Sequence, residues 1–454
     1  MKRICCIGAG YVGGPTMAVL AKHCPEYRIE VVDTNSERIA AWKTDDLPIY
    51  EPGLLDIVKQ VRGRNLFFYE DVEGHIDEAD IIFVSVNTPT KTFGHGAGRA
   101  ADVQFCEQTA RMIAKCSTKP KIIVEKSTVP VRTAEAMEAI LQANDKGVTF
   151  EIISSPEFLA EGTAIRDLEE PNRVLIGGRP TESGRRAIQE VLDIFAHWVP
   201  KERILTVDLW SSELAKLTAN AFLAQRVSSV NAISALCERT GANITEVASA
   251  VGMDDRIGRK FLRASVGFGG SCFQKDILNL AYLCEYHGLP EVAAYWQQVV
   301  ELNEWQKKRF VRTMLKALFN TLAGKRVAML GFAFKPGTSD TRCSPAITIA
   351  KLLIDEHAEL SITDPKALEN ARKDLPDARS CTFTPDPYEA TRGAHAIALV
   401  TGWPEYSELD FERVFQDMEK PAFIFDGCDL LDHEALVKIG FHVFRVGAPP
   451  IVPS

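Results

Sequence analysis

Gly8, Gly10 and Gly13 stand in Gly-x-Gly-x-x-Gly spacing between the apolar run RICCI and the apolar segment PTMAVLA. A strand, a glycine turn and a helix in that order commit the start of the chain to a βαβ unit. The glycines permit a tight turn and close backbone approach to a pyrophosphate, whose charge the N-terminus of the next helix favours. Tyr11 and Val12 complete the loop. Asp33 ends the second apolar run twenty residues after Gly13. A carboxylate there accepts from an adenosine ribose 2′-hydroxyl and repels a 2′-phosphate. A glycine turn alone also serves plain packing of helix on strand; strand, spacing and acid together predict a dinucleotide site that prefers NAD to NADP.

The alternation continues along the chain. Residues 3–8 (RICCIG), 29–33 (IEVVD), 80–86 (DIIFVSV), 121–125 (KIIVE) and 150–154 (FEIIS) are short apolar runs separated by helical-looking segments, the pattern of a parallel α/β sheet. Between about 210 and 320 such runs vanish, and residues 210–241 read as one long, mostly apolar helix. After Gly324 the strand pattern returns with RVAMLG, ELSITD, HAIALVT and AFIFDG. The expected fold class is α/β, with two Rossmann-like parallel-sheet domains at 1–208 and 323–454 joined by a central helical domain at 209–322. The second sheet domain carries one glycine directly after its first strand, in RVAMLGFAFKPGTSDTR, and is assigned no dinucleotide.

With 454 residues, 46% hydrophobic and 25% charged, the chain has the composition of a soluble globular protein with more than one core. No apolar run approaches the roughly 20 residues that span a bilayer, and the N-terminal run is too short and glycine-broken for a signal peptide. Eleven cysteines without a CxxC pair suggest reduced thiols, neither a disulfide framework nor a metal site, and a cytoplasmic location. A net charge of −9 argues against a nucleic-acid partner.

One thiol stands apart. Cys272 follows the glycine-rich GFGG and precedes QKDILNLAYLCEYHG, which reads as a helix starting just after it. A helix N-terminus and the nearby Lys275 favour thiolate character, the glycines give room for a ligand, and Asp276 is placed to activate water. These features predict a catalytic cysteine rather than a plain buried thiol. In SELAKLTANAF, Lys216 and Asn220 are one helical turn apart. The flanking Leu214, Leu217, Ala221, Phe222 and Leu223 predict a largely buried helix, and a buried Lys/Asn pair needs a polar partner that a ligand would supply.

GAGYVGGPT, LPIYEPGL, SVNTPT, EKSTVPV, PEFLAEGTAI, RVLIGG, SELAKLTANAFLAQR, GFGGSCFQKD and GFAFK, in this order, resemble the UDP-glucose 6-dehydrogenase family (UDP-glucose/GDP-mannose dehydrogenases) from residue 3 to about 447. The resemblance implies a four-electron oxidation of UDP-glucose to UDP-glucuronate. Two NAD would be used in succession, with the aldehyde trapped by Cys272 as a thiohemiacetal and then a thioester. By matching motif, Asp276 with Thr128 would position or activate water, Lys216 would stabilise the oxyanion with help from Asn220, and Glu157 would be a general acid/base. Further cofactor contacts implied are Arg38, Val86, Thr88, Thr90, Ser127, Thr128, Glu161 and Arg342. The substrate would be held by Glu157, Phe158, Leu159, Phe261, Arg263, the loop of Gly267, Phe268, Gly269 and Gly270, and by Phe273, Phe334 and Lys335, besides Lys216 and Asn220. Arg256 would reach a neighbouring subunit's substrate, which implies a homo-oligomer, a dimer or hexamer in this family.

Two departures from the family pattern lie near the C-terminus. GFAFK runs on into Pro336 and Gly337, where the family carries a lysine and an acid. The family's Asp-Gly-Arg, whose arginine contacts the substrate, reads Asp426, Gly427, Cys428. Losing a charged hydrogen bond of roughly 1.5–3 kcal/mol predicts binding about ten- to a hundredfold weaker, unless another cation such as Arg445 stands in. The alternatives are a nucleotide-sugar-binding paralogue impaired in catalysis, which Cys428 favours, and a dehydrogenase of another nucleotide sugar such as UDP-N-acetylmannosamine or GDP-mannose. The close match across 211–276 argues against the latter.

Overall fold

In the computed structural model, which describes residues 2–144, 146–376 and 380–453, the N-terminal strands form one eight-stranded sheet. They are β1 (Arg3–Ile7), β2 (Arg28–Val32), β3 (Leu66–Tyr69), β4 (Ile81–Val84), β5 (Lys121–Glu125), β6 (Phe150–Ser154), β7 (Val174–Gly178) and β8 (Ile204–Asp208). Their order is β3-β2-β1-β4-β5-β6-β7-β8. Neighbours pair in parallel except β6 and β7, which meet antiparallel through Ser154 and Gly177. The order reverses at β1 and β4, and doubly wound sheets bind ligands at the carboxyl ends of such a pair. Helices cover both faces, so β4 is buried along its whole length and reads as an unbroken apolar run. One face packs on Met17, Leu20, Trp42 and Phe83, the other on Ile82, Val84, Ile113 and Met137.

The second sheet holds β9 (Arg326–Leu330), β10 (Glu359–Thr363), β11 (Cys381–Phe383), β12 (Ala396–Leu399), β13 (Phe423–Asp426) and β14 (His442–Arg445). Its order is β11-β10-β9-β12-β13-β14, parallel throughout, which repeats the arrangement of the first six strands. Both sheets are therefore Rossmann-like. Between them in the chain lie the helices Leu209–Thr240, Ile244–Gly252, Phe273–Tyr286 and Pro290–Ala317, and no strand. The fold divides into two units. The first runs to Ala219 and takes in Leu278–Leu289; the second takes Asn220–Ile277 and resumes at Pro290.

The long helix Leu209–Thr240 departs from expectation in its burial. Leu217 and Ala221 are fully enclosed, but Leu214 and Phe222 are 40% and 56% exposed, so the helix is not largely buried. No helix among the described residues is long and apolar enough to cross a membrane.

Candidate active site

The glycine loop is built for a dinucleotide. Gly8 has φ +109°, and a Cβ there would lie 2.2 Å from the Ser85 carbonyl oxygen; a Cβ on Gly13 would lie 2.0 Å from the Gly8 carbonyl oxygen. These two glycines let strand and helix close on each other. A Cβ on Gly10 meets nothing within 4 Å, so the middle glycine opens on the space a pyrophosphate requires. Asp33 fixes the loop from below: its Oδ2 accepts from the Ala9 amide at 2.9 Å and pairs with Arg38 at 3.0 Å. The residues present therefore fit NAD, with Tyr11 and Val12 half-buried at the head of the helix Gly13–His23. The loops after β4 and β5 are laced together, Thr88 donating to the Thr128 carbonyl at 2.7 Å and Ser127 to that of Val86 at 2.9 Å. Thr90 pairs with Ala101.

Beyond β6 the chain turns sharply at Glu157. Its Oε1 accepts from the amides of Phe158 at 2.8 Å and Leu159 at 3.2 Å, and its Oε2 pairs with Lys126 at 3.0 Å. Burial works to raise this carboxyl, but the Lys126 ammonium, with the Phe158 amide and Lys216, outweighs it and holds the group below the usual carboxylate range. Glu157 is thus held in its charged, accepting form. The Phe158 ring receives Lys216 Nζ at 5.2 Å and the Arg173 guanidinium at 3.7 Å. Lys216 is buried, as expected, and Glu161 is half-buried in the following turn.

In the second unit, Cys272 is exposed immediately ahead of the helix Phe273–Tyr286, and its carbonyl accepts from the Asp276 amide at 2.8 Å. Ser271 Oγ lies 3.4 Å from its Sγ. One turn on, Asp276 is fully buried; it accepts from Asn220 Nδ2 at 2.6 Å and pairs with Lys275 at 2.9 Å. The partner that Asn220 was expected to find in a ligand is therefore the protein's own carboxylate.

The glycines before Cys272 are also required by packing within the protein. A Cβ on Gly269 would meet the Cys343 carbonyl oxygen at 2.6 Å, and one on Gly270 (φ +88°) the Phe334 ring at 2.9 Å. Their missing side chains make room for the loop after β9, and Gly270 donates to the Arg342 carbonyl at 2.9 Å. Arg342 itself forks onto Asp340, and Lys335 lies over the Phe334 ring at 5.5 Å. Asn303 clamps the other end of the loop: its Oδ1 takes the Phe268 amide at 2.8 Å and its Nδ2 the Phe268 carbonyl at 3.0 Å. Gly267, at φ +131°, packs on the same side chain. Phe273 gathers Phe268 and Phe261 at 5.8 and 6.4 Å, Phe261 being half-exposed at φ +61°. Asn303 and Lys126 were missed in the sequence. The only signal for Asn303 is that it interrupts the buried apolar stripe of the helix Pro290–Ala317 between Val300 and Phe310.

Cys428 is turned inward, its thiol donating to the Val400 carbonyl at 3.1 Å, and burial with Asp426 beside it raises that thiol well above its ordinary value. Arg263 stands near enough to oppose this rise, and donates to the Asp429 carbonyl at 3.1 Å. Arg445, the cation expected as a substitute, is turned to the Asp429 carboxylate at 3.7 Å and to His433. Arg256 is 89% exposed and bonded to Asp254 two residues away.

Two sheets that share one order over six strands, the first carrying a dinucleotide cradle, define a dinucleotide-binding protein of two Rossmann-type halves. Residues 2–199 match the NAD binding domain of the UDP-glucose/GDP-mannose dehydrogenase family, residues 210–305 its central domain and residues 328–433 its UDP binding domain. The chain belongs to that family. It is 58% identical to UDP-glucose 6-dehydrogenase 5 of Oryza sativa subsp. japonica over 468 residues, and 58% identical to UDP-glucose 6-dehydrogenase 1 of Arabidopsis thaliana over 469. Each alignment covers 99% of this chain and 98% of the relative. Among solved structures, a UDP-glucose dehydrogenase from Pyrobaculum islandicum superposes with a TM-score of 0.86 at 30% identity, covering 99% of this chain and 98% of that one.

Proposed function

We propose that this protein oxidises the C6 alcohol of UDP-glucose to the carboxylate of UDP-glucuronate, preferring NAD because Asp33 would face the extra phosphate of NADP. Three segments would divide the work: 1–208 for the cofactor, 209–322 for the covalent chemistry and 323–454 for the UDP moiety. The observation that carries the reading is Cys272, an exposed thiol at the head of a helix, with a buried carboxylate one turn behind it.

NAD, when bound at the glycine loop, supplies the hydride acceptor, two equivalents per sugar. The Cys272 thiolate adds to the C6 aldehyde and forms a carbon–sulfur bond; the alkoxide takes a proton and the thiohemiacetal keeps the aldehyde from diffusing away. Lys216 offers a buried cation to the oxyanion. After the second oxidation, water adds to the thioester and the carbon–sulfur bond breaks. The thiolate leaves and the carboxylate is released. Asp276 and Thr128 would orient that water, Asp276 being held by Asn220 and Lys275.

The protein would act as a homo-oligomer in the cytosol, where its eleven cysteines stay reduced. Phe222, Ile233 and Leu236 on the long helix, and Tyr295 and Trp305 on Pro290–Ala317, are large exposed apolar side chains suited to a second copy of the chain. The exposed Arg256 would then reach that copy's substrate. The test is NADH formation with UDP-glucose, GDP-mannose and UDP-N-acetylmannosamine, each with NAD and NADP. Turnover of UDP-glucose with NAD is expected; preference for another sugar, or none at all, would overturn the reading.

A further inference from the structure

Lys126 is a charged side chain placed almost wholly out of water, 3% exposed, directly after β5. Its ammonium pairs with the Glu157 carboxylate at 3.0 Å and lies 5.5 Å from the centroid of the Phe195 ring. Glu157 is 14% exposed, so this is an ion pair in which each charge depends on the other for its solvation. The pair faces a small cavity lined by Phe158, Arg173, Phe195 and Trp198. A carboxylate has about four lone-pair sites. The Phe158 and Leu159 amides fill those of Oε1, and Lys126 takes one on Oε2.

We propose that Lys126 is a positioning residue for the sugar oxidation: it fixes Glu157 in place and in its charged form, leaving the last lone pair of Oε2 to accept from the sugar hydroxyl or the hydrolytic water. This rests on the reaction proposed above and assigns a role to a residue outside the cysteine motif. The charged and titratable groups around the pair are Lys216 on the long helix, Arg173 over the Phe158 ring, Asp167 at the cavity wall, and the buried Glu125 and Cys6, which both feel the Lys126 charge. The Arg173 guanidinium has no ion pair among the described residues, and it is held on the Phe158 ring at 3.7 Å. Lys126 pairs with the carboxylate at 3.0 Å; without it, burial acts on Glu157 with only partial opposition from the Phe158 amide and Lys216.

The experiment is the pH profile of kcat/KM for UDP-glucose in the wild type, Lys126→Met, Lys126→Arg and Glu157→Gln. The methionine variant should lose activity most on the acid side, recover as pH rises, and show an acid limb moved upward by at least about one unit. Lys126→Arg should stay within about threefold of wild type, because it restores the cation. Adding Lys126→Met to Glu157→Gln should cost little more than Glu157→Gln alone. A uniform loss at every pH, with the acid limb unmoved, overturns the proposal; a wild type that does not oxidise UDP-glucose overturns the reaction itself. Should the methionine variant not fold, the wild type decides by ¹³C titration of its labelled glutamates, with Glu157 assigned from the glutamine variant. The carboxyl should keep its charged-form shift down to about pH 5; a Glu157 that is protonated at neutral pH overturns the proposal.

Discussion

Asn220 Nδ2 lies 2.6 Å from Asp276 Oδ2, and both side chains are buried. The bond ties the long helix to the first turn of the helix that begins just after Cys272. Asn220→Ala should cost about 1–3 kcal/mol of unfolding free energy, because it leaves a buried carboxylate short of a donor. Asn220→Asp should cost more, since it sets a second carboxylate against the first. Urea unfolding gives the order, and equal losses would contradict it.

Gly10 and Gly13 should separate cofactor binding from folding. Gly10→Ala meets no neighbour, so its melting temperature should match wild type while NAD affinity falls. Gly13→Ala drives a methyl to within 2.0 Å of a backbone carbonyl and should destabilise the protein itself. Thermal melts with NAD titration distinguish the two, and a destabilised Gly10→Ala would contradict this reading of the loop.

Glu213 caps the helix Thr133–Gln142, accepting from the Arg132 and Ala134 amides at 2.7 Å each. Burial pushes its carboxyl from 4.5 up to about 7, against the pull of those amides, and burial with the Glu213 charge raises the buried Glu125 in the same direction. A raised acid favours the protonated fold. The stability Glu213 contributes is therefore full below about pH 4.5 and is lost as pH rises through about 7. Glu213→Gln should flatten the stability profile between those limits relative to wild type. Parallel profiles would contradict the assignment.

Arg263 beside Cys428 should supply the charge that the family's arginine gives at position 428. Arg263→Ala should raise KM for UDP-glucose about tenfold or more. Cys428→Arg should restore much of that loss in the Arg263→Ala background while changing the wild type little. A gain in kcat/KM from Cys428→Arg alone, with Arg263→Ala silent, would show that Arg263 does not stand in.

The parts of this fold legible in the sequence are those whose burial is continuous. RICCI and KIIVE fall on β1 and β5 because central parallel strands are covered on both faces. ILTVD, by contrast, is an edge strand exposed at three of its five positions, Leu205, Thr206 and Asp208, and its pattern does not announce β8. The glycine loop and Cys272 were readable because their chemistry is local. Lys126 and Asn303 were not, since each acquires its role from a partner far along the chain: Glu157 for one, the Phe268 backbone for the other. The packing role of Gly269 and Gly270 was not readable either, because only the fold reveals that Phe334 and Cys343 fill the space beside them.

The central claim is that Cys272 carries the sugar between two oxidations, and a stoichiometric titration tests it most directly. Limiting UDP-glucose with excess NAD should yield two NADH per sugar, and mass spectrometry of the quenched wild type should find a sugar adduct on Cys272. Cys272→Ser should stop or slow severely after the first oxidation, because a serine hydroxyl is a far weaker nucleophile than a thiolate at neutral pH. One NADH per sugar in the wild type, or a serine variant that completes both oxidations at the wild-type rate, would contradict the account.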